Sequence, residues 1–238
     1  MITLNVLKRV FRFRFDRKEA TCFAINRRGR QYIITAKHVV DGIGDADVVH
    51  LFRDAEWLGV RVALVGTSEG EVDVAVLAPS VPVAVLPKIE VSRGGIMLGQ
   101  DVYFLGFPYG LYYDTGTLGD KFALPFVKKA ILSALGDPND TRNVFYLDGH
   151  NNPGFSGGPV IFEHPFRIRP QVRGSIVKLE YKIAGVVSGF KPWPQPVYAS
   201  SKRTRYFAKE NTGIMKCYGI DIATDLIDGN PIGCLVKS

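Results

Sequence analysis

Asn152-Pro153-Gly154-Phe155-Ser156-Gly157-Gly158-Pro159-Val160 sets one serine among glycines at the head of an apolar stretch. Glycine enters positive φ without a Cβ penalty, so such a run can turn neighbouring N–H groups toward one spot. A nucleophilic serine served by an oxyanion hole needs that arrangement. A plain Gly-rich turn would look the same in isolation. The upstream sequence decides between them.

A serine hydroxyl is a weak nucleophile at neutral pH and needs a base within hydrogen-bond reach. The histidines are His38, His50, His150 and His164. His38 closes Tyr32-Ile33-Ile34-Thr35-Ala36-Lys37-His38, where a β-branched strand runs into a turn. Such a base needs a carboxylate behind it to fix its tautomer and to stabilise the imidazolium. Asp73 sits in Val72-Asp73-Val74-Ala75-Val76-Leu77, an apolar run where a charge belongs only with a partner. Taken singly, His38 could be a satisfied core histidine and Asp73 a turn-capping acid. Together with Ser156 they follow the chymotrypsin-type order His, Asp, Ser, unlike the orders of α/β-hydrolases and subtilisin.

The blocks Thr35–Val40, Asp73–Leu77 and Gly154–Val160 resemble the signature blocks of trypsin-like serine peptidases, closest in style to the bacterial HtrA-like protease domain. Val102–Gly110 and Ala130–Leu135 fit the first strands of that family's second barrel. The resemblance implies an all-β fold: two six-stranded antiparallel β-barrels and a short C-terminal helix. Residues 1–85 would form the N-terminal barrel carrying His38 and Asp73, and residues 96–238 the C-terminal barrel carrying Ser156, together one peptidase domain. It also implies an oxyanion hole made by the N–H groups of Gly154 and Ser156. The substrate pocket would be lined by His150 and Asn151, by Ser188, Gly189 and Phe190, and by a last strand holding Gly219 and Asp221.

This chain departs from the digestive trypsins. Their residue before the nucleophile is an aspartate that pairs with a freed N-terminus, and Phe155 stands there instead, so activation by that ion pair is not available. The acid that trypsin places six residues before its nucleophile is replaced by His150. If Tyr218–Ile222 is a strand, Gly219 and Asp221 share a face. Asp221 would then draw a Lys or Arg side chain into the pocket; the alternative is that it bonds His150 or a loop backbone.

The 238 residues suit one large unit or two small lobes. Hydrophobic content of 46% and charged content of 22% describe a globular protein with ample core. The net charge of +7 is moderate; it could favour acidic partners, but it comes from scattered Lys and Arg more than from a single block. The alternating Phe11-Arg12-Phe13-Arg14-Phe15 could be a nucleic-acid stripe, but a solvated strand face explains it more simply. No window approaches the ~20 apolar residues of a membrane span. Arginines interrupt the N-terminus where a signal core would lie, so no membrane partner is expected, and the strand-face reading of the Phe-Arg alternation argues against a nucleic-acid partner. Cys22, Cys217 and Cys234 are odd in number and form no Cys-x-x-Cys pair. That argues against a disulfide framework or a metal cage, and for a cytoplasmic, reducing location with no metal or other cofactor.

Short strands are expected at Phe11–Phe15, Thr21–Ile25, Gln31–Thr35, Val48–Phe52, Val60–Gly66 and Asp73–Leu77, with a hairpin turn at Asn26–Gly29. A Pro- and Gly-rich linker follows from Pro79 to Gly99. Tyr109–Val127 reads as a long loop, Val172–Leu179 and Tyr181–Ser188 as strands, and the proline-broken Phe190–Lys209 as irregular. Tyr218–Ile222 would be the last strand and Ala223–Asp228 a helix. The function expected is a serine endopeptidase acting on protein or peptide substrates. A triad can also serve an esterase or persist in a silent peptide-binding scaffold, and a nucleic-acid-binding module is the remaining alternative.

Overall fold

Alternating side chains close the first barrel. In β1 (Val10–Phe15), Phe11 and Phe13 turn inward, while the guanidinium carbons of Arg12 and Arg14 lie 4.9 and 4.3 Å from the Trp57 ring centroid. The structure, a computed structural model, describes residues 2–114, 123–136, 143–166 and 178–236. β2 (Lys18–Arg27) and β3 (Arg30–Thr35) turn through Arg28 and Gly29, both at positive φ (50° and 71°), as the expected hairpin requires. With β4 (Val48–Arg53), β5 (Glu56–Thr67) and β6 (Ala75–Pro79) they form a closed antiparallel ring in the order β1-β2-β3-β6-β5-β4.

The second half begins with β7 (Glu90–Val91), β8 (Asp101–Gly106) and a two-residue pairing of β9 (Tyr113–Asp114) with β10 (Ala123–Leu124). There follow β11 (Phe126–Leu135), β12 (Val144–Asp148), β13 (Pro159–Phe166), β14 (Lys178–Ala199) and β15 (Lys202–Gly219). Pairing runs β13-β8-β11-β12-β15-β14, and a β13–β14 ladder closes that ring, with β7 added in parallel on β14. The fold is chymotrypsin-like, with a four-residue helix α1 (Leu4–Leu7) and a C-terminal helix α2 (Ile220–Gly229).

Three buried clusters follow. One fills the first barrel around Phe13, Cys22, Ile33 and Leu77, and another fills the second around Phe104, Phe155, Phe162 and Met215. The third joins them: Phe23, Ile34, Leu105 and Tyr218 meet Ala223 and Ile227 of α2 between the barrels. This explains why β2 is apolar on both faces. Cys22 and Ala24 look into the barrel, while Phe23 and Ile25 look toward its neighbour.

Two expectations are overturned. Tyr218–Ile222 is not a strand, because β15 ends at Gly219 and α2 starts at Ile220. Buried Ile220, Ala223, Thr224 and Ile227 follow the helical spacing i, i+3, i+4, i+7, which five residues were too few to reveal. Phe190–Lys209 is not irregular. It forms most of a long hairpin of β14 on β15, with Pro192 opposite Asn211, Pro194 opposite Lys209 and Pro196 opposite Phe207. Prolines two residues apart lose their N–H groups along one edge only. Beyond Val187 that edge has no strand neighbour among the described residues, so the ladder to β15 survives. Most of the strand expected at Val172–Leu179, and the middle of the Tyr109–Val127 loop, lie outside the described residues.

Candidate active site

His38 lies in a single 3₁₀ turn (Lys37–Val39) after β3, and Asp73 in the loop between β5 and β6. The backbone N–H of His38 donates to Asp73 Oδ1 at 2.9 Å, and His38 Nδ1 is 2.7 Å from Oδ2. Ser188 Oγ, from the second barrel, donates to the same Oδ2 at 2.6 Å. The Asp73 side chain is 13% exposed against 55% for His38. Burial pushes the Asp73 carboxyl up, but the bonds from the His38 ring, Ser188 and the His38 backbone outweigh it and hold the pKa below the usual value. The loop is braced from both sides. Lys37 Nζ donates to the carbonyls of Ser68 and Gly70 (2.9 and 2.8 Å), and the Tyr218 hydroxyl donates to that of Glu71 (2.6 Å).

Ser156 sits between the barrels, and its Oγ donates to the Ser188 carbonyl at 3.0 Å. Among the described residues no hydrogen bond joins it to the His38 ring. The N–H groups of its loop divide cleanly. Phe155 donates to the Asn152 carbonyl (3.3 Å), Gly157 to Val187 (2.7 Å) and Gly158 to Phe155 (2.8 Å), while those of Gly154 and Ser156 meet no acceptor among the described residues. Two donors left open beside a serine hydroxyl suit a developing oxyanion.

The loop holds its shape by close approach. Gly154 has φ 105° and Gly157 φ 81°, and a Cβ on Gly157 would collide with the carbonyl of Thr21. Thr21 itself was not singled out from the sequence. Its N–H donates to the Ser156 carbonyl (3.0 Å), its Oγ1 donates to the Gly154 carbonyl (2.6 Å), and the same Oγ1 accepts the Phe107 N–H (3.0 Å). A lone hydroxyl inside the apolar run Ala20–Ile25 was the available signal. Phe155 is fully buried edge-on to Phe104 (centroids 4.9 Å apart). An apolar anchor occupies the position where digestive trypsins carry a charge.

The expected pocket residues separate into two groups. Ser188, Gly189 and Phe190 follow one another along β14 beside Ser156, with Lys216 opposite Gly189 and a fully buried Met215 opposite Phe190. His150 and Asn151 precede the nucleophile loop. Lys128 Nζ donates to the His150 carbonyl and Asn211 Nδ2 to the Asn151 carbonyl (2.6 Å). The Asn151 side chain is buried, and its Oδ1 has no partner among the described residues. Gly219 pairs with Gly185 instead, and Asp221, in the first turn of α2, takes Arg93 Nε at 2.6 Å. The strand premise of an acidic pocket is therefore wrong. Met215 stands on the segment of β15 that was sought at Gly219 and Asp221, and strand alternation carried back from Cys217 would have found it.

Residues 20–164 match the family model of the trypsin-like peptidase domain. A search of curated proteins gives no match. Among solved structures, the Rv3671c protease of M. tuberculosis H37Rv, in its inactive form, superposes with a TM-score of 0.55 at 19% identity, over 95% of this chain and 91% of that one. The HtrA-type protease AlgW with tripeptide gives 0.56 at 20% identity, over 94% and 60%. A serine endoprotease from Yersinia pestis gives 0.56 at 20%, over 94% and 63%. This chain thus spans under two thirds of the last two, and at such identities the likeness is one of fold.

Proposed function

The chain belongs to the family of trypsin-like peptidase domains, and from that premise we propose that it is a serine endopeptidase working through His38, Asp73 and Ser156. The observation that carries this is the gathering of the three groups around Ser188: the His38 ring bonds Asp73, Ser188 Oγ donates to the same carboxylate, and Ser156 Oγ donates to the Ser188 carbonyl. For reaction, the Ser156 hydroxyl leaves the Ser188 carbonyl and turns to His38. Its Oγ bonds to the scissile carbonyl carbon while the proton passes to His38 Nε2. The carbonyl oxygen takes the negative charge, between the N–H groups of Gly154 and Ser156, each worth about 3 kcal/mol. Collapse breaks the C–N bond and the amine leaves with the proton held by His38. Water then repeats the sequence on the acyl ester and frees Ser156. Asp73 stays ionised throughout, which its three donors favour.

Ser188–Phe190, with His150 and Asn151, form the wall along which a protein or peptide substrate lies. The free thiols Cys22, Cys217 and Cys234 fit a reducing, cytoplasmic location, and no helix among the described residues is long and apolar enough to cross a membrane. The test is cleavage of a peptide library by wild type, Ser156→Ala and His38→Ala, with fluorophosphonate labelling alongside. Each variant is expected to lose on the order of 10⁶ in rate and the double variant no more, since the residues act as one unit. A wild type that is neither labelled nor cleaves any peptide would overturn the reading.

A further inference from the structure

The strand that brings Ser188 to the nucleophile does not stop at the barrel. From Lys191 to Thr212, β14 and β15 run out as a two-stranded ribbon turned at Ser200 and Ser201, both at positive φ (46° and 65°). Its rings face solvent: Trp193 is 62% exposed, Tyr198 62%, Tyr206 61% and Phe207 56%. A ribbon without a covered face has little to stabilise it, and aromatic surface of this extent marks a contact site. Its charge is one-sided. Lys191, Lys202, Arg203, Arg205 and Lys209 face a single acid, Glu210, whose carboxylate already takes Gln195 Nε2 at 2.5 Å.

We propose that this ribbon is an exosite that docks acidic segments of protein substrates carrying apolar side chains, and so selects which proteins reach Ser156. The inference rests on the peptidase reading. At ~3.3 Å per residue, Tyr198 and its cross-strand neighbour Arg203 stand about 33 Å along β14 from Ser188, within the span of one extended substrate chain. A second docking point on the same strand raises the effective concentration of the scissile bond at the nucleophile.

Other occupants fit less well. Base stacking needs open ring faces, and two of the four rings are already partnered: the Arg203 guanidinium lies 5.7 Å from the Phe207 ring centroid and that of Arg205 5.4 Å from Tyr206. Arg205 spends one donor on the Tyr206 hydroxyl (3.3 Å), and a guanidinium fork carries five N–H donors, so a carboxylate can still take two. Entry into a lipid surface needs an apolar tip, and this tip is Ser200-Ser201-Lys202, with the rings set back along the strands. Pro192, Pro194 and Pro196 remove the donors that an added substrate strand would need on the open edge, so recognition here falls to side chains.

The test uses quenched peptides that share one cleavable core. One carries an acidic, Phe-containing extension about ten residues from the scissile bond, the distance set by the strand rise, and the other a Gly-Ser extension of equal length. At low salt the acidic extension is expected to raise kcat/KM of the wild type by about tenfold, through KM, as a few partly screened ion pairs provide. Added salt should erase the difference. The variant K202E/R203E/R205E should cleave the Gly-Ser peptide as the wild type does and show no acidic preference. Equal kcat/KM for the two peptides with wild type would overturn the proposal. So would binding to phosphatidylserine vesicles or single-stranded DNA that the charge reversal abolishes while acidic preference is absent. A catalysis-free arm measures anisotropy of the labelled acidic peptide with Ser156→Ala. Tight, salt-sensitive binding without cleavage by wild type would leave the exosite standing and sink the peptidase reading; cleavage without such binding would do the reverse.

Discussion

The two barrels hold their shares of the site by different means. The first fixes His38 and Asp73 through side-chain bonds, with Asp73 taking the His38 backbone, the His38 ring and Ser188 Oγ. The second fixes Ser156 chiefly through backbone, with the N–H groups of Phe155, Gly157 and Gly158 tied to carbonyls and glycine allowing the approach to Thr21. Side-chain bonds can be removed one at a time on an unchanged main chain. A backbone loop changes as a whole. Chemistry and stability should therefore separate on the first barrel and fall together on the second.

The largest effect tests the first half of that contrast. Asp73→Asn keeps the shape but offers an amide that cannot stabilise the imidazolium and favours the wrong tautomer. The expected loss in kcat is about 10⁴-fold with little change in melting temperature. A fall of less than about tenfold would remove Asp73 from its assigned role. Gly157→Ala tests the other half. Its positive φ and the Thr21 carbonyl both oppose a Cβ, so the loop must move. Activity should drop by about 10²–10³, the usual value of one oxyanion donor, and the melting temperature should fall with it. Full activity in a destabilised protein would show that the loop's shape and its chemistry are separable after all.

The same contrast explains what the sequence made legible. Segments that obey a local rule could be read directly: the alternation of Phe11 and Phe13, the Arg28-Gly29 turn, and the glycines about Ser156. The position of Asp221 depends on where β15 ends and α2 begins, which no five-residue pattern encodes, while Met215 and Thr21 left local signals, an alternating strand and a lone hydroxyl, whose meaning only the packed barrels supply. The prolines of the ribbon misled for a physical reason. A proline spoils a strand only where its N–H is needed, and an open edge does not need it.

Thr21 is where the first barrel grips the second barrel's loop, so it blurs the contrast in a measurable way. Thr21→Val keeps the volume but leaves the Phe107 N–H and the Gly154 carbonyl without their buried partner. The cost should be about 1–3 kcal/mol, with kcat/KM down about tenfold through looser placement of Gly154, and Thr21→Ser should restore both. If Thr21→Val matched wild type in both readouts, the loop would have to be held by its own backbone bonds.

The smallest effect concerns the back of the molecule, where α2 returns from the second barrel to the first. Asp228 takes Arg27 through Nε at 2.8 Å and Nη2 at 2.5 Å, and Arg28 Nε at 2.8 Å. The Arg27 bond, with help from Arg28, holds its carboxyl down from 3.8 to about 2. An acid whose pKa is lower folded than unfolded stabilises the fold above the unfolded value and ceases to do so as pH falls through the folded one. Asp228→Asn should therefore lower the melting temperature slightly at neutral pH, by roughly one or two degrees because the pair is solvent-screened. The gap should close as pH falls from about 4 to about 2, the window between the unfolded and folded values. Asp73 loses its own contribution in acid too, but it is present in both proteins and cancels in the difference. Peptidase activity at neutral pH should be unchanged, since this joint lies away from Ser156. A gap that stays constant down to pH ~2 would mean that Asp228 acts by packing rather than by charge; the two barrels would then be joined at the back, as at the front, without help from an ion pair.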